Sequence, residues 1–150
     1  MKVADLMTTR LVTVGFDDTL ETVQEIFREA TFHHLLVVED GELQGVVSDR
    51  DLLRALSPFI DSVVETQRDT GTLNKRVHQI MSRKPITLMP DAEVAEATRL
   101  LLARGVSCIP VVNSESRPVG IVSWRDILRA YALALGEPIA DASESATSPE

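Results

Sequence analysis

A chain of 150 residues, 44% hydrophobic and 25% charged, holds enough apolar side chains for one core or two small ones. Its formal net charge of −8 argues against general binding to nucleic acid or to a membrane surface, although a local basic pocket can still take a small anion. The single cysteine, Cys108, excludes an intrachain disulfide and a cysteine-based zinc site, no stretch reaches the roughly 18 apolar residues of a membrane span, and MKVADLMTTR lacks the apolar run of a secretory signal, so a cytoplasmic location is expected.

In chain order, the short apolar piece VADLM leads to a strand-like run at residues 11–14. Asp17 and Asp18 form an acidic cap that opens a helix whose Leu20, Val23, Ile26, Phe27 and Ala30 recur at helical spacing. A buried strand is expected at residues 35–38, a polar turn at EDGELQ, a second strand at 45–47 and a helix from Ser48. Residues 57–76 break the pattern and read as a connector, partly helical near Val63. The same succession then returns: VHQIM, a strand at 85–88, an acidic cap at Asp91, and a helix carrying Val94, Ala97, Leu100 and Leu101. A strand at 109–112, the turn NSESRP, a strand at 120–122 and a helix from Ser123 complete it.

This is a duplication. Shifted by 74 residues, Val3, Met7, Thr13, Asp17, Val37 and Val38 fall on Val77, Met81, Thr87, Asp91, Val111 and Val112. One inserted residue later, at an offset of 75, GVVSDRDLLRAL lies on GIVSWRDILRAY with eight of twelve positions identical. The fold class is therefore α/β (α+β), with the order β-α-β-β-α twice. A unit of about 55 residues buries too little surface to be secure alone, so the two copies are expected to pack their sheets into a single body. The expected divisions are repeat one at 1–56, connector at 57–76, repeat two at 77–133 and an acidic, disordered tail at 134–150.

The sharpest local pattern is S-x-R-D, Ser48 to Asp51 and again Ser123 to Asp126. One reading is structural: a serine followed three residues later by an acid makes a capping-box variant at a helix start. The other is functional: the N–H groups at a helix start attract phosphate, a serine hydroxyl adds a bond, and an acid accepts from the two hydroxyls of a ribose. Both readings stand, since they suit different ligand states. There is no Gly-rich phosphate loop, no nucleophile beside a base and no pair of acids suited to catalysis, so no catalytic residue is assigned and enzyme activity is not expected.

With β-α-β-β-α twice, and Ile109-Pro110-Val111-Val112 preceding G-h-V-S-x-x-D, residues 1 to about 133 resemble a tandem cystathionine β-synthase (CBS) domain pair, or Bateman module. The resemblance implies a pseudo-twofold pair enclosing two possible sites for AMP, ADP, ATP or S-adenosylmethionine, with no required cofactor. It places the ribose acid at Asp51 and Asp126 and the phosphate-side hydroxyl at Ser48 and Ser123. The adenine wall would comprise Val46, His34, Leu35 and Leu36 in repeat one, and Ile121, Cys108, Ile109 and Pro110 in repeat two. Arg50 and Arg125 stand beside the acids as phosphate neutralisers, or as solvated or ion-paired side chains. Repeat one has His33-His34-Leu35-Leu36 where repeat two has Ser107-Cys108-Ile109-Pro110, so unequal sites are expected, with the second the better one. The resemblance also implies a homodimer meeting through helices; with no effector domain in the sequence, the expectation is a target in another polypeptide or a chain that is only a sensor.

The remaining conspicuous residues read more plainly. Adjacent histidines on a strand point to opposite faces and lack metal-ligand company, so no metal site is expected; His34 could stack on a base, with His33 at the surface. Cys108 reads as a small buried residue without a base to activate it. Trp124 reads as exposed in a monomer, a contact for another chain or for the opposite repeat. The alternative to a ligand sensor is a structural dimerisation module without ligand.

Overall fold

A computed structural model describes residues 1–138, so the tail expected to be disordered lies, from residue 139 on, outside the described residues. Repeat one runs β1 (Thr13–Val14), α1 (Leu20–Glu29), β2 (His34–Glu39), β3 (Glu42–Ser48) and α2 (Asp49–Ala55). The connector contains α3 (Gln67–Gly71). Repeat two runs β4 (Ser82–Arg83), α4 (Val94–Arg104), β5 (Cys108–Val112), β6 (Pro118–Ser123) and α5 (Trp124–Ala134). The mixed α+β architecture is the one the duplicated pattern predicts.

Each repeat is organised around an antiparallel hairpin, β2 with β3 and β5 with β6. The first turn is Asp40-Gly41, with φ of 51° and 79°, the left-handed pair that a two-residue hairpin turn requires. The second is held by Asn113, whose Oδ1 accepts from the N–H groups of Glu115 at 2.9 Å and Arg117 at 3.1 Å. The two turns touch, Leu43 N–H donating to the Ser116 carbonyl at 3.0 Å.

Several local expectations are corrected. Thr19, not the aspartates, caps α1 by accepting from the Thr22 N–H at 3.4 Å, while Asp18 turns back to accept from the Gly15 N–H at 2.7 Å. The second long helix likewise starts after Glu93 rather than at Asp91. Residues 85–88 form no strand and contribute one parallel bridge, Leu88 to Val111; Pro85, lacking an N–H, cannot extend a ladder. In the connector the helix lies at Gln67–Gly71, where Thr66 and Asp69 make a capping box, and not near Val63, which follows the left-handed Asp61.

What joins the repeats is a reciprocal exchange of their lead segments. The piece before β1 does not pack on its own repeat. Val3 N–H donates to the Ala92 carbonyl (2.8 Å) and Ala4 N–H to Pro90 (2.9 Å), while Val77 N–H donates to Asp18 (2.9 Å) and His78 N–H to Phe16 (3.1 Å). These bonds map onto one another under the 74-residue shift, so the exchange follows the pseudo-twofold. Each lead then runs along the other repeat's hairpin. β4 pairs with β3 through Val46 and Ser82, and Thr8 exchanges two 2.9 Å bonds with Ile121 on β6.

Both cores are completed this way. The first joins Leu20, Val23, Leu35, Val37, Val47 and Leu52 of repeat one to Val77 and Met81; the second joins Ala97, Leu101, Ile109, Val111 and Val122 of repeat two to Val3. The crossing is close enough to explain the glycine that opens each G-h-V-S. A Cβ on Gly45 would lie 2.6 Å from the Ser82 carbonyl oxygen, and one on Gly120 2.5 Å from Met7 Sδ.

Candidate functional site

β3 and β6 each end on a serine that turns the chain into a helix. Ser48 caps α2 and Ser123 caps α5, both with extended backbone. Asp51 Oδ2 accepts from the Ser48 N–H at 2.9 Å while the Asp51 N–H donates to Ser48 Oγ at 3.1 Å. In repeat two, Asp126 Oδ2 accepts from the Ser123 N–H at 2.8 Å and from its hydroxyl at 3.0 Å, and the Asp126 N–H returns to Ser123 Oγ at 3.3 Å. The capping reading is thus realised in both copies. It does not exhaust the carboxylates, because the cap bonds all fall on Oδ2. Asp126 Oδ1 lies 3.9 Å from Arg129 Nη1, a turn further along α5.

The two boxes are not equal. Asp126 is 8% exposed and is the one buried charged residue among the described residues, whereas Asp51 is half-buried. Asp51 lines a shallow depression of about 200 Å³ with Arg54, Ala55 and Ile80, smaller than the roughly 300–1,000 Å³ of ordinary ligand pockets. The seven-residue α2 is also shorter than the eleven-residue α5.

Strand alternation sorts the expected adenine wall into two sets. Leu35 and Ile109 point into the two cores, fully buried, and present a ligand with no surface in this conformation. On the opposite faces, cross-strand pairing groups His34 and Leu36 with Ser48 and Val46, and Cys108 and Pro110 with Ser123 and Ile121. Leu36 and Pro110 are buried although they belong to neither core. On that same face His34 Nε2 meets Ser107 Oγ of the other repeat at 2.9 Å. Val46 and Ile121 remain half-buried at the strand edges where Ser82 and Thr8 cross.

Burial first, opposed by Asp49 and reinforced by the charge of His33, lowers the His34 imidazole below its ordinary value. His33 is exposed and pairs through Nδ1 with Asp49 Oδ2 at 2.8 Å. Arg50 is exposed, and the Arg125 guanidinium stands 5.8 Å over the ring of Trp124 rather than against Asp126. Burial pushes the Cys108 thiol up to about 12, which fits a packing residue and not a nucleophile. Cys108 is half-buried, and iodoacetamide labelling of native protein at pH 8 is expected to run on the order of a thousandfold slower than labelling of the urea-unfolded chain; comparable rates would refute the raised thiol.

Sequence reasoning missed two sets of neighbours. Arg54 and Arg129 stand one turn after the site acids, and the recurrence of D-x-x-R in both boxes was their signal. Thr8 and Ser82, which flank Ile121 and Val46, gave only the repeated Met7-Thr8 and Met81-Ser82 pairs, with nothing to say which repeat they join. Among the described residues no cluster of His, Cys, Asp and Glu could hold a metal ion, and no helix is long and apolar enough to cross a membrane.

The profile of the CBS domain family matches residues 3–58 and 77–133. A CBS domain-containing protein of Dictyostelium discoideum is 34% identical over 128 residues, covering 84% of this chain and 88% of the relative. The chain spans less than half the length of several further curated relatives. Among solved structures, CBSX2 in complex with AMP superposes with a TM-score of 0.74 at 29% identity, covering 91% of this chain and 98% of that one. The CBS domain pair of protein MJ0100, in complex with 5′-methylthioadenosine and S-adenosyl-L-methionine, gives 0.71 at 25% identity, with 87% and 99% covered.

Proposed function

The chain belongs to the CBS domain family, and from that premise we propose that it is a non-catalytic, cytoplasmic regulatory module that takes an adenosyl ligand between its two repeats. The observation that carries this reading is the buried Asp126 at the start of α5: its Oδ2 is spent on the cap, its Oδ1 is not, and the helix N-terminus and Ser123 hydroxyl lie beside it. A ribose diol donating to Oδ1 adds to this arrangement without dismantling it, and a phosphate is drawn toward the N–H groups of the helix start. Ile121 and Thr8 offer the adjoining edge to the base. The relatives bound to AMP and to S-adenosyl-L-methionine support the ligand class. Asp51 and Ser48 repeat the constellation on a shorter helix, a weaker second site. The module self-associates through its helices and acts on another polypeptide when a ligand favours one arrangement over another.

The test is titration with AMP, ADP, ATP and S-adenosylmethionine, followed by calorimetry and thermal unfolding. A ligand that binds only the native state stabilises it by about 2.7 kcal/mol at one hundred times its Kd, a rise in Tm of about 5–10 °C for a chain of this size. Neither heat nor shift with all four would favour the second reading, a ligand-free structural dimerisation module, which the satisfied caps at both boxes also accommodate.

A further inference from the structure

His34 opens β2 on the strand face away from its own core, and its Nε2 crosses to the other repeat to meet Ser107 Oγ at 2.9 Å. Ser107 stands at the head of α5: its carbonyl accepts from the Trp124 N–H at 3.3 Å, and the next residue, Cys108, pairs across the hairpin with Ser123. An imidazole of repeat one is thereby held within two hydrogen bonds of the helix start that carries Asp126. The tie is made once. The 74-residue shift carries His34 onto Cys108 and His33 onto Ser107, yet His33 Nδ1 takes Asp49 Oδ2 at 2.8 Å instead, and the Cys108 thiol, pushed up to about 12, stays neutral.

The charges around the ring are few. Asp49 and Asp51 act on it from α2 and His33 from its own strand, while Ser48, its cross-strand partner on β3, and Ser107 on repeat two carry none. On α5, Arg125 is turned over the Trp124 ring and Asp126 into its cap. Burial outweighs the aspartates and holds the imidazole below its ordinary value, so at pH 7 the ring is neutral. An anion brought to the head of α5 reverses that balance, because a nearby opposite charge favours the protonated ring; a cation there deepens it.

Resting on the adenosyl site proposed above, we infer that His34 selects the charge of the ligand held at the repeat-two box, taking up a proton when the ligand carries phosphate and refusing one when it carries a cationic sulfonium. Ser107 positions the ring without changing charge, since its hydroxyl can accept from Nε2–H whether the imidazole is neutral or charged. The linkage has a definite sign. A phosphate complex titrates His34 at higher pH than the free protein does, so affinity for AMP rises as pH falls through the window between the two values and is flat outside it. For S-adenosylmethionine the order reverses, and affinity falls in acid.

The test is titration of the whole chain with AMP and with S-adenosylmethionine at pH 6 and pH 8, in the parent and in His34→Gln, the variant cancelling the ligands' own ionisations. Between pH 8 and pH 6 the AMP Kd is expected to fall about fivefold further in the parent than in the variant, and the S-adenosylmethionine Kd to rise relative to it. A second readout needs no change at residue 34. With His33→Gln and His78→Gln used to assign the three imidazoles, AMP should move the His34 proton resonance titration up by about one pH unit. Equal pH dependence in parent and variant for whichever ligand binds, or a His34 titration that bound AMP leaves unmoved, overturns the assignment and leaves the sensor reading in place. No binding of AMP, ADP, ATP or S-adenosylmethionine at either pH overturns the sensor reading and this inference with it.

Discussion

Val3→Asp should cost more than about 4 kcal/mol and abolish cooperative folding of repeat two, although residue 3 belongs to the opposite end of the chain. Val3 is fully buried in the second core, packed with Ile109, Val111 and Val122, and its backbone is bonded to Ala92. An aspartate there has no cation within the cluster to pair with and must either ionise in an apolar interior or pull the lead segment out. The matching change, Val77→Asp, should cost about as much by opening repeat one, since Val77 is fully buried with Leu20, Leu35 and Val47. Urea unfolding followed by circular dichroism measures both. If the lead packed on nothing, Val3→Asp would behave as a change at a chain terminus and shift stability by less than about 0.5 kcal/mol.

Asp126→Ala should separate the two roles of the S-x-R-D box. Loss of the carboxylate's half of the capping box is expected to cost about 1 kcal/mol of stability, since the bond from the residue 126 N–H to Ser123 Oγ survives. Loss of a charged acceptor for ribose hydroxyls should cost about 2–4 kcal/mol of binding, or about 30- to 1,000-fold in Kd, for whichever adenosyl ligand gives heat with the unaltered protein. The decisive comparison is between these quantities: a variant that is folded by calorimetry but binds within threefold of the parent would leave Asp126 a cap and nothing more. Asp51→Ala removes the same half of the capping box from α2 and should weaken binding less, because the repeat-one box is more open to solvent and heads a shorter helix.

Much of this was legible in the residues. The offset of 74 to 75 exposes the duplication, and hairpin residues such as Asp40-Gly41 fix their turns by local stereochemistry alone. The caps at Ser48 and Ser123 are equally local, set by atoms three residues apart. The lead segments were not legible in the same way. VADLM and VHQIM show that something apolar is buried, but not in which core, because that choice is made by contacts far along the chain, such as Val3 with Ala92 and Val77 with Asp18. For the same reason the wall residues Leu35 and Ile109 could be placed on strands but not on a face: a continuous apolar run such as residues 35–38 hides the alternation that decides which side chains look inward.

The exchange of lead segments also decides what can be inherited separately. Two genes each encoding one half would each produce an interior with a hole where the other half's valine belongs, at Val3 or at Val77. A substitution near the start of either half is felt as a packing defect in the other. The smallest piece that can be copied, fused to a different protein and still fold is therefore the pair.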